Sequence, residues 1–472
     1  MNFAQLEYPV FLAMVVLIIA LTHRLAARKA IVLLASFYFY AYWDYRFLSL
    51  LLASTLLDWS IGLALEATQR DSWRRYLLFL SVAGNLGVLG FFKYYNFFIE
   101  SAQTILERIG LHAGTLEIVL PIGISFYTFQ TLSYSIDVYR RRLAPCRNLL
   151  DFAIFVSFFP QLVAGPIVRA SEFLPQLRSA PRVALMNVYP GLAQILRGLV
   201  KKVLIADNLA LMVDPVFATP ELYSAATVMI AVLGYAGQIY GDFSGYSDIA
   251  VGSARLLGFA LPENFSHPYL AVSIADFWRR WHITLSTWLR DYLYIPLGGN
   301  RHGSFRTYLH LMITMILGGL WHGAAWNFVA WGAWHGLALA IERASSSVPR
   351  YAESRSPSQP KPRLWTRISR TSLTFLVVLI GWMLFRTSSL SHFSMLVLSL
   401  ANWDQGILWL PPIPIAALLL LLTEHAIWAS PHRSLLALAP DRWQTPWLVG
   451  LALAALALFA PGKAQPFVYF QF

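Results

Sequence analysis

The chain of 472 residues is unusually apolar. Hydrophobic residues make up 57% of it and charged residues 13%, against about 45–50% and about 25% in soluble proteins. A soluble fold of this size would lack the charge to cover its surface, and the same composition excludes a disordered chain, a collagen-like repeat and a disulfide scaffold. The net charge of +12 is more typical of cytoplasmic loops facing anionic lipid than of a nucleic-acid surface. The sequence therefore predicts a polytopic membrane protein that binds lipid and no nucleic acid.

Apolar segments recur along the whole chain, and most approach the roughly 20 residues that a helix needs to cross a bilayer. They predict an all-α bundle of about 10–12 transmembrane helices, with re-entrant and interfacial helices in addition. We treat residues 1–472 as one integral membrane domain. The predicted spans are 9–22, 30–43, 47–65, 76–92, 118–139, 222–240, 307–326, 327–341, 371–385, 413–428 and 446–461.

Positive charge predicts the orientation of these spans, because loops rich in lysine and arginine stay in the cytoplasm. Basic residues follow the first, third and fifth spans, which places the N-terminus outside and the segments 44–46 and 93–114 outside as well. The first span has no basic region before it and no small-residue cleavage site, so we expect no cleavable signal. The polar segment 344–361 and the arginines after it predict a flexible cytoplasmic loop.

The apolar segment 149–168 interrupts the alternation. It contains Pro160, Gly165 and Pro166, and arginines flank it on both sides. Both ends therefore favour the cytoplasm, which predicts a re-entrant segment, since broken backbone at membrane depth survives only inside protein or beside a water-filled cavity. An ordinary span kinked by proline is the alternative.

The segment 273–297 predicts an amphipathic helix at the cytoplasmic interface. Ser273 and Asp276 form an S-x-x-D start signal. At about 100° per residue, one stripe carries polar side chains and the opposite face carries aromatic ones. The stripe consists of Arg279, His282, Ser286 and Arg290. Such arginines either bind lipid headgroups, with His282 as a passenger, or face a substrate.

Two W-H-G triplets place His322 and His335 in otherwise apolar helices. An ionisable side chain within a span is a functional-site hypothesis, because burying it is costly. Glycines and alanines around His322 let a neighbouring backbone or a ligand approach closely, so we take it as a candidate catalytic residue. For His335 we keep the structural interpretation.

The segment 240–248, YGDFSGYSD, places Asp242 and Asp248 after a predicted span. Gly241 and Gly245 favour an irregular turn or a break there. The two carboxylates have three plausible uses, which are to orient a histidine, to pair with the arginines or to bind a cation. An ordinary polar loop is the alternative.

Several chemistries lack their motifs in this sequence. It contains no G-x-S-x-G, no nucleotide-binding glycine loop, no H-E-x-x-H and a single cysteine, Cys146. No metal site is predicted. Histidines in glycine-rich helices suit general acid–base catalysis near neutral pH, and arginines suit the phosphates of an anionic donor such as coenzyme A. A proton-coupled transporter that uses the same side chains as a relay and a membrane scaffold for an export complex are the alternatives.

Five motifs resemble the membrane-bound O-acyltransferase family, and specifically its branch that acetylates bacterial polysaccharides such as alginate. The resemblance covers about residues 115–345 and is weaker through the N-terminal spans. The motifs are PIGISFYTFQTLSYSIDVYR (121–140), FFPQLVAGPIVR (158–169), YGDFSGYSDIAVG (240–252), DFWRRWHITLSTWLRDYLYIPLGGNR (276–301) and GGLWHGAAW (318–326).

The resemblance implies a helix bundle around a central funnel, with His322 as the principal catalytic histidine and His282 as the second. It implies transfer of an acetyl group from a cytoplasmic thioester donor, acetyl-CoA or another acyl thioester, across the bacterial inner membrane. It also implies periplasmic or membrane-anchored partner proteins that accept the acetyl group and modify an exported polysaccharide, with cellulose acetylation or D-alanyl transfer to teichoic acid as alternatives. No bound cofactor is expected. The candidate donor- and substrate-binding residues are Arg279, Arg290, Arg301, Asp242, Asp248, Ser286, Trp321 and Asn327.

Overall fold

The computed structural model describes residues 1, 3–5, 7–108, 114–163, 165–345, 364–403, 405–429, 445–462 and 465–468. All but the first residues of the predicted loop 344–361 lie outside the described part. The chain divides into two compact units: Met1–Leu199 with Tyr246–Pro262, and Val200–Gly245 with Glu263–Phe472. The prediction of one membrane domain over the whole chain stays a prediction.

The described residues are helical, as predicted, and pair as β-structure only at an isolated bridge between Tyr223 and Ile407. Three helical stretches among them are long and apolar enough to cross a membrane, namely Leu25–Ala67, Asp71–Gln103 and Leu364–Arg386. Shorter apolar helices occupy Glu7–Leu21, Leu390–Ser399, Pro412–Ile427 and Thr445–Phe459.

The first unit is built from the N-terminal helices and the end of one long helix that begins in the second unit. A short π-helical stretch, Gly90–Tyr94, joins α4 to α5. The helices are α1 (Glu7–Leu21), α2 (Leu25–Asp44), α3 (Leu48–Ala67), α4 (Asp71–Leu89), α5 (Tyr95–Arg108), α6 (Ile124–Tyr139), α7 (Leu149–Ser157), α8 (Phe159–Leu162), α9 (Ala170–Phe173) and α10 (Leu185–Leu199).

Polar side chains bind α3, α4 and α6 together inside the first unit. The fully buried Asp58 of α3 accepts hydrogen bonds from Ser81 Oγ of α4 at 2.5 Å and from Ser135 Oγ of α6 at 2.5 Å. The side-chain amide of Asn85 in α4 donates to the other carboxylate oxygen of Asp58 at 2.6 Å. Interhelical hydrogen bonds of this kind hold membrane helices together where lipid offers no hydrophobic driving force.

The helix through 149–168 is broken, which excludes one continuous kinked span. α7 ends at Ser157 after nine residues, about half of what a crossing requires. Side chains provide hydrogen-bond partners for the backbone groups at the break. The backbone N–H of Phe159 donates to Ser36 Oγ at 3.1 Å, and the side-chain amide of Gln161 donates to the Phe155 carbonyl at 2.6 Å. Internal satisfaction of broken backbone is what a re-entrant segment requires.

The second unit holds most of the C-terminal half of the chain and the two sequence motifs with the candidate histidines, 276–301 and 318–326. Two π-helical stretches, Val200–Ala206 and Arg290–Tyr294, lie within it. Its helices are α11 (Asp207–Ala218), α12 (Ala225–Leu256, of which Ala225–Gly245 belongs here), α13 (Ile274–Arg280), α14 (Ile283–Leu289), α15 (Gly303–His322), α16 (Trp326–Ala344), α17 (Leu364–Arg386), α18 (Leu390–Ser399), α19 (Pro412–Ala429) and α20 (Thr445–Phe459).

The break predicted in 240–248 is wrong, because α12 runs through this segment without interruption. Gly241 does not form a turn; it allows the π-helical stretch Val200–Ala206 to pack closely on α12. A Cβ at this position would lie 2.8 Å from the carbonyl oxygen of Lys201 and 3.3 Å from the Ala206 side chain. The π-helical stretch therefore packs directly on the backbone of α12, in the way that small residues permit in membrane helices.

α15 and α16 form an antiparallel hairpin closed by the short turn at Gly323–Ala325. Gly332 of α16 faces the backbone of α15, where an added Cβ would lie 2.8 Å from the Ile316 Cα and would also overlap the Met315 carbonyl. The hairpin therefore depends on glycine at its contact, and it places His322 at the end of α15, beside the turn.

Candidate active site

The predicted continuous helix over 273–297 is wrong. Ser273 does begin α13 as expected, since its Oγ accepts a hydrogen bond from Asp276 N–H at 3.1 Å. The helix ends at Arg280, and a second helix, α14, starts at Ile283. His282 stands between them in the left-handed region, with φ 42° and ψ 56°. The single polar stripe does not form, because a helical wheel cannot be extended across this break.

Asn264 stabilises the turn at His282 from a segment outside both helices. Its backbone carbonyl accepts a hydrogen bond from Ile283 N–H at 3.0 Å. Its side-chain Oδ1 accepts from Thr284 N–H at 3.2 Å and from the Thr284 hydroxyl at 3.0 Å, and lies 3.2 Å from His282 Nδ1. Asn264 thus caps the first turn of α14, whose N–H groups have no partner within the helix. A left-handed non-glycine residue costs about 1–3 kcal/mol and persists where its surroundings fix it.

The imidazole of His282 is fully buried among rings. The Phe243 ring of α12 lies edge-on to it, with centroids 4.6 Å apart, and the Trp321 ring of α15 lies at 6.0 Å. His282 lies between two seven-residue helices that are too short to span a membrane. Burial lowers its pKa to about 3, so the ring is neutral throughout the physiological range.

His322 is the last residue of α15 and is 5% exposed. Its ring contacts the rings of Trp321 at 5.0 Å, Trp331 of α16 at 5.0 Å and Phe385 of α17 at 5.2 Å. Trp321, itself buried, therefore contacts both His322 and His282. The structure brings together the two histidines that the sequence singled out and encloses them in aromatic side chains, where electrostatic interactions are strong.

His335 lies in the middle of α16, and it is fully buried. Its ring packs against Trp331 at 5.0 Å and Trp278 at 5.1 Å. Neither ring nitrogen has a hydrogen-bond partner among the described residues. His335 therefore adjoins the site through Trp331, which also contacts His322.

Asp242 belongs to a buried ion cluster. Lys202 Nζ lies 2.6 Å from Asp242 Oδ1 and 2.7 Å from Asp207 Oδ1, and it donates to the Gln465 carbonyl at 3.1 Å. Val468 N–H donates to Asp242 Oδ2 at 2.6 Å. The cluster thereby binds residues 465–468 to the helices, and a ring on this segment, Phe467, contacts Phe243 at 5.8 Å. Asp242 supports the wall of the site at Phe243, and Lys202 rather than a histidine or an arginine pairs with it.

Asp248 belongs to the first unit, where Arg197 of α10 binds it through two nitrogens. Arg197 Nη2 lies 2.5 Å from Oδ1 and Arg197 Nε lies 3.0 Å from Oδ2. A helix of its own unit therefore supplies a cation to Asp248, and its pairing with the arginines of 273–297 stays a prediction.

The remaining predicted residues are exposed arginines and polar side chains that donate hydrogen bonds to backbone carbonyls. Arg279, Arg290 and Arg301 are exposed, and Arg290 binds the neighbouring Asp291 at 2.6 Å. The Ser286 hydroxyl donates to the Trp281 carbonyl at 3.2 Å, across the break. Asn327 is buried and donates to the Thr387 carbonyl at 2.8 Å, which anchors the end of α17 to α16.

Sequence reasoning missed Asn264, Phe243 and Trp331. Asn264 precedes His282 by 18 residues, and no local periodicity links them. Phe243 lies in the segment 240–248, for which the glycines predicted an irregular turn or a break.

The chain is similar to known proteins of one family. The family model described as MBOAT, membrane-bound O-acyltransferase family, matches residues 145–385. A probable alginate O-acetylase from Pseudomonas putida is 45% identical over 366 residues, which is 77% of this chain and 72% of the relative. The chain belongs to the membrane-bound O-acyltransferase family. It is therefore a membrane protein and an acyltransferase.

Two further relatives differ in the polymer and the acyl group that their names state. A peptidoglycan O-acetyltransferase from Helicobacter pylori is 39% identical over 388 residues, covering 77% of this chain and 71% of the relative. A teichoic acid D-alanyltransferase from Streptococcus thermophilus is 27% identical over 311 residues, covering 61% and 75%.

Acyl transfer by this family member does not call for a cysteine nucleophile. Cys146 is half-buried in the first unit, and burial raises the pKa of its thiol. The thiolate is the nucleophilic form of cysteine, so Cys146 is a poor candidate. The histidines of the second unit are better candidates for acid–base chemistry.

Proposed function

We propose that this membrane-bound O-acyltransferase moves an acetyl group from a cytoplasmic thioester, acetyl-CoA or another acyl thioester, across the bacterial inner membrane. The acetyl group then modifies an exported polysaccharide such as alginate. The observation that carries the proposal is the contact of Trp321 with both His282 and His322 inside a buried aromatic enclosure. The names of the relatives at 45% and 39% identity favour acetyl and a polysaccharide.

His322 acts as the general base. It takes the proton of the acceptor hydroxyl while the hydroxyl oxygen attacks the thioester carbonyl; the carbon–sulfur bond then breaks and the thiolate leaves. Imidazole is suited to this role near neutral pH. His282 orients a substrate or assists the proton transfer. The low-dielectric surroundings strengthen the electrostatic interactions of both histidines with the substrate.

The exposed arginines Arg279, Arg290 and Arg301 would bind the phosphates of the donor on the cytoplasmic side. Periplasmic or membrane-anchored proteins would receive the acetyl group on the other side. A D-alanyl group in place of acetyl is favoured by relatives of lower identity, such as the one at 27%, and the mass of the transferred group distinguishes the two.

The test is replacement of His322 by alanine in the native host. The acetyl content of the exported polymer should fall to background while the protein remains in the membrane at its normal level. His23→Ala, an exposed histidine between α1 and α2, is the matched control and should leave acetylation unchanged. Normal acetylation by the H322A protein at normal abundance would overturn the assignment.

A further inference from the structure

The orientation of the Asn264 carboxamide follows from its partner Thr284. The side-chain atom that faces Thr284 N–H at 3.2 Å must accept, because a backbone N–H can only donate. This atom is therefore the carbonyl oxygen Oδ1, and the Thr284 hydroxyl at 3.0 Å donates to it as well. The choice between oxygen and nitrogen is made by the hydrogen-bond network.

The same oxygen determines the tautomer of His282. Oδ1 of Asn264 lies 3.2 Å from Nδ1 of His282, so Nδ1 must carry the hydrogen atom that bonds the two. A neutral imidazole has one N–H, and the nitrogen that lacks it is an acceptor. Burial keeps the ring neutral by lowering its pKa to about 3. Nε2 of His282 is therefore an acceptor, and the structure gives it no hydrogen-bond partner among the described residues.

We propose that Asn264 is a positioning residue that holds His282 as the Nδ1–H tautomer, so that Nε2 accepts a hydrogen bond from the bound substrate. The group that binds there is a hydrogen-bond donor, a hydroxyl or an amide N–H, other than the hydroxyl that gives its proton to His322. This inference rests on the proposed function and deepens it. His282 orients the substrate and does not donate a proton to it.

The described neighbours of His282 come from three helices besides the Asn264 segment. α12 presents Phe243 and α15 presents Trp321, while Thr284 begins α14. Asp242, next to Phe243, is paired with Lys202, and His322 follows Trp321. Among the described contacts of the ring, the Asn264 amide is its hydrogen-bond acceptor.

Two substitutions of Asn264 separate positioning from a structural role. Asn264→Asp keeps an oxygen acceptor and adds a negative charge, which raises the pKa of a neighbouring histidine. Below that raised pKa both ring nitrogens carry hydrogen, and Nε2 cannot accept. Asn264→Leu removes the acceptor at every pH. We expect N264D to regain activity as pH rises, with an acid limb that wild type lacks, and N264L to be about ten- to a hundredfold less active throughout.

The measurement is acetyl transfer from labelled acetyl-CoA in inverted membrane vesicles between about pH 4.5 and 9, which includes the range that a carboxylate neighbour gives the His282 pKa, normalised to folded protein. Asn208→Ala is the control, since it removes another buried amide, bonded to Leu204 O at 3.1 Å and Phe459 O at 3.0 Å. It should preserve the wild-type pH profile. Equal losses in N264D and N264L with a wild-type pH profile, or full activity in N264L, would overturn the inference. H322A vesicles distinguish the two failures. If they are active, the proposed function itself is wrong; if they are inactive while the Asn264 variants contradict the inference, only the role of Asn264 is wrong.

Discussion

The ammonium group of Lys202 lies 2.6 Å from Oδ1 of Asp242, and both side chains are 1% exposed. Asp207 is the third member of the cluster, at 2.7 Å from the same nitrogen. A buried cation between two carboxylates offsets part of their charge, so its removal leaves both without a counter-charge in the cluster. The cluster also binds the segment 465–468, which contacts the wall of the site at Phe243.

Lys202→Met should destabilise the protein by about 3–5 kcal/mol, the range for breaking a buried ion pair from one side. Thermal unfolding in detergent, followed by size-exclusion chromatography, measures the change. Lys201→Met is the neighbouring control: Lys201 lies over the Tyr240 ring at 5.4 Å, and such a contact contributes about 0.5–2 kcal/mol. The triple variant K202M/D207N/D242N should recover part of the loss. A K202M protein as stable as K201M would contradict this account of the cluster.

Phe467→Ala should lower acetyl transfer per folded molecule as well as stability. The fully buried Phe467 ring contacts Phe243, whose edge meets His282. Removing a buried phenyl ring lowers the free energy of unfolding by about 3–5 kcal/mol. The space left behind Phe243 lets the Phe243 ring move away from His282. Phe467→Leu, which keeps most of the volume, should retain most activity. The initial rate of transfer in vesicles tests the pair, and identical rates for F467A and wild type would refute the support of His282 by this segment.

Gly332→Ala should prevent the α15–α16 hairpin from closing. The added methyl group would meet the backbone of α15 at Met315 and Ile316, and backbone cannot rotate away as a side chain does. The variant should be lost from the membrane or elute as aggregate. Gly87→Ala is the control, because nothing lies within 4 Å of a Cβ there; alanine in a helix is favoured over glycine by about 1 kcal/mol. Equal yields of folded protein from both variants would show that the contact is dispensable.

His335→Leu distinguishes the two W-H-G histidines. His335 is buried with no hydrogen-bond partner among the described residues, and an unsatisfied buried polar group costs about 1–3 kcal/mol. If its role is to pack against Trp331, leucine should preserve acetylation and raise the melting temperature. Acetylation is measured in the exported polymer, as for H322A. A loss of acetylation without a loss of protein would show that His335 takes part in the chemistry.

The sequence predicts what depends on local pattern. Ser273 begins a helix because its hydroxyl accepts from the N–H three residues later, and this signal is visible in the letters. The break after Ser157 was likewise indicated by the proline that follows it. Composition and span length led to the membrane class, which the family match confirms.

Tertiary contacts account for the errors. Gly241 was interpreted as a break, but it lies in a continuous helix, and the lack of a Cβ lets the carbonyl of Lys201 pack against it. His282 was placed on a helical stripe, but it adopts a left-handed conformation that Asn264 stabilises from 18 residues away. Helical periodicity carries no information about such a partner. The roles of the two histidines stay predictions until they are measured.

The proposed function requires that acetyl transfer from the cytoplasmic face depend on His322. The most direct measurement supplies labelled acetyl-CoA, which does not cross membranes, to inverted vesicles and to right-side-out vesicles of wild type and H322A. Label should enter the acceptor only in inverted wild-type vesicles, where the donor reaches the cytoplasmic face. Inverted wild-type vesicles that incorporate no more label than inverted H322A vesicles would contradict the claim.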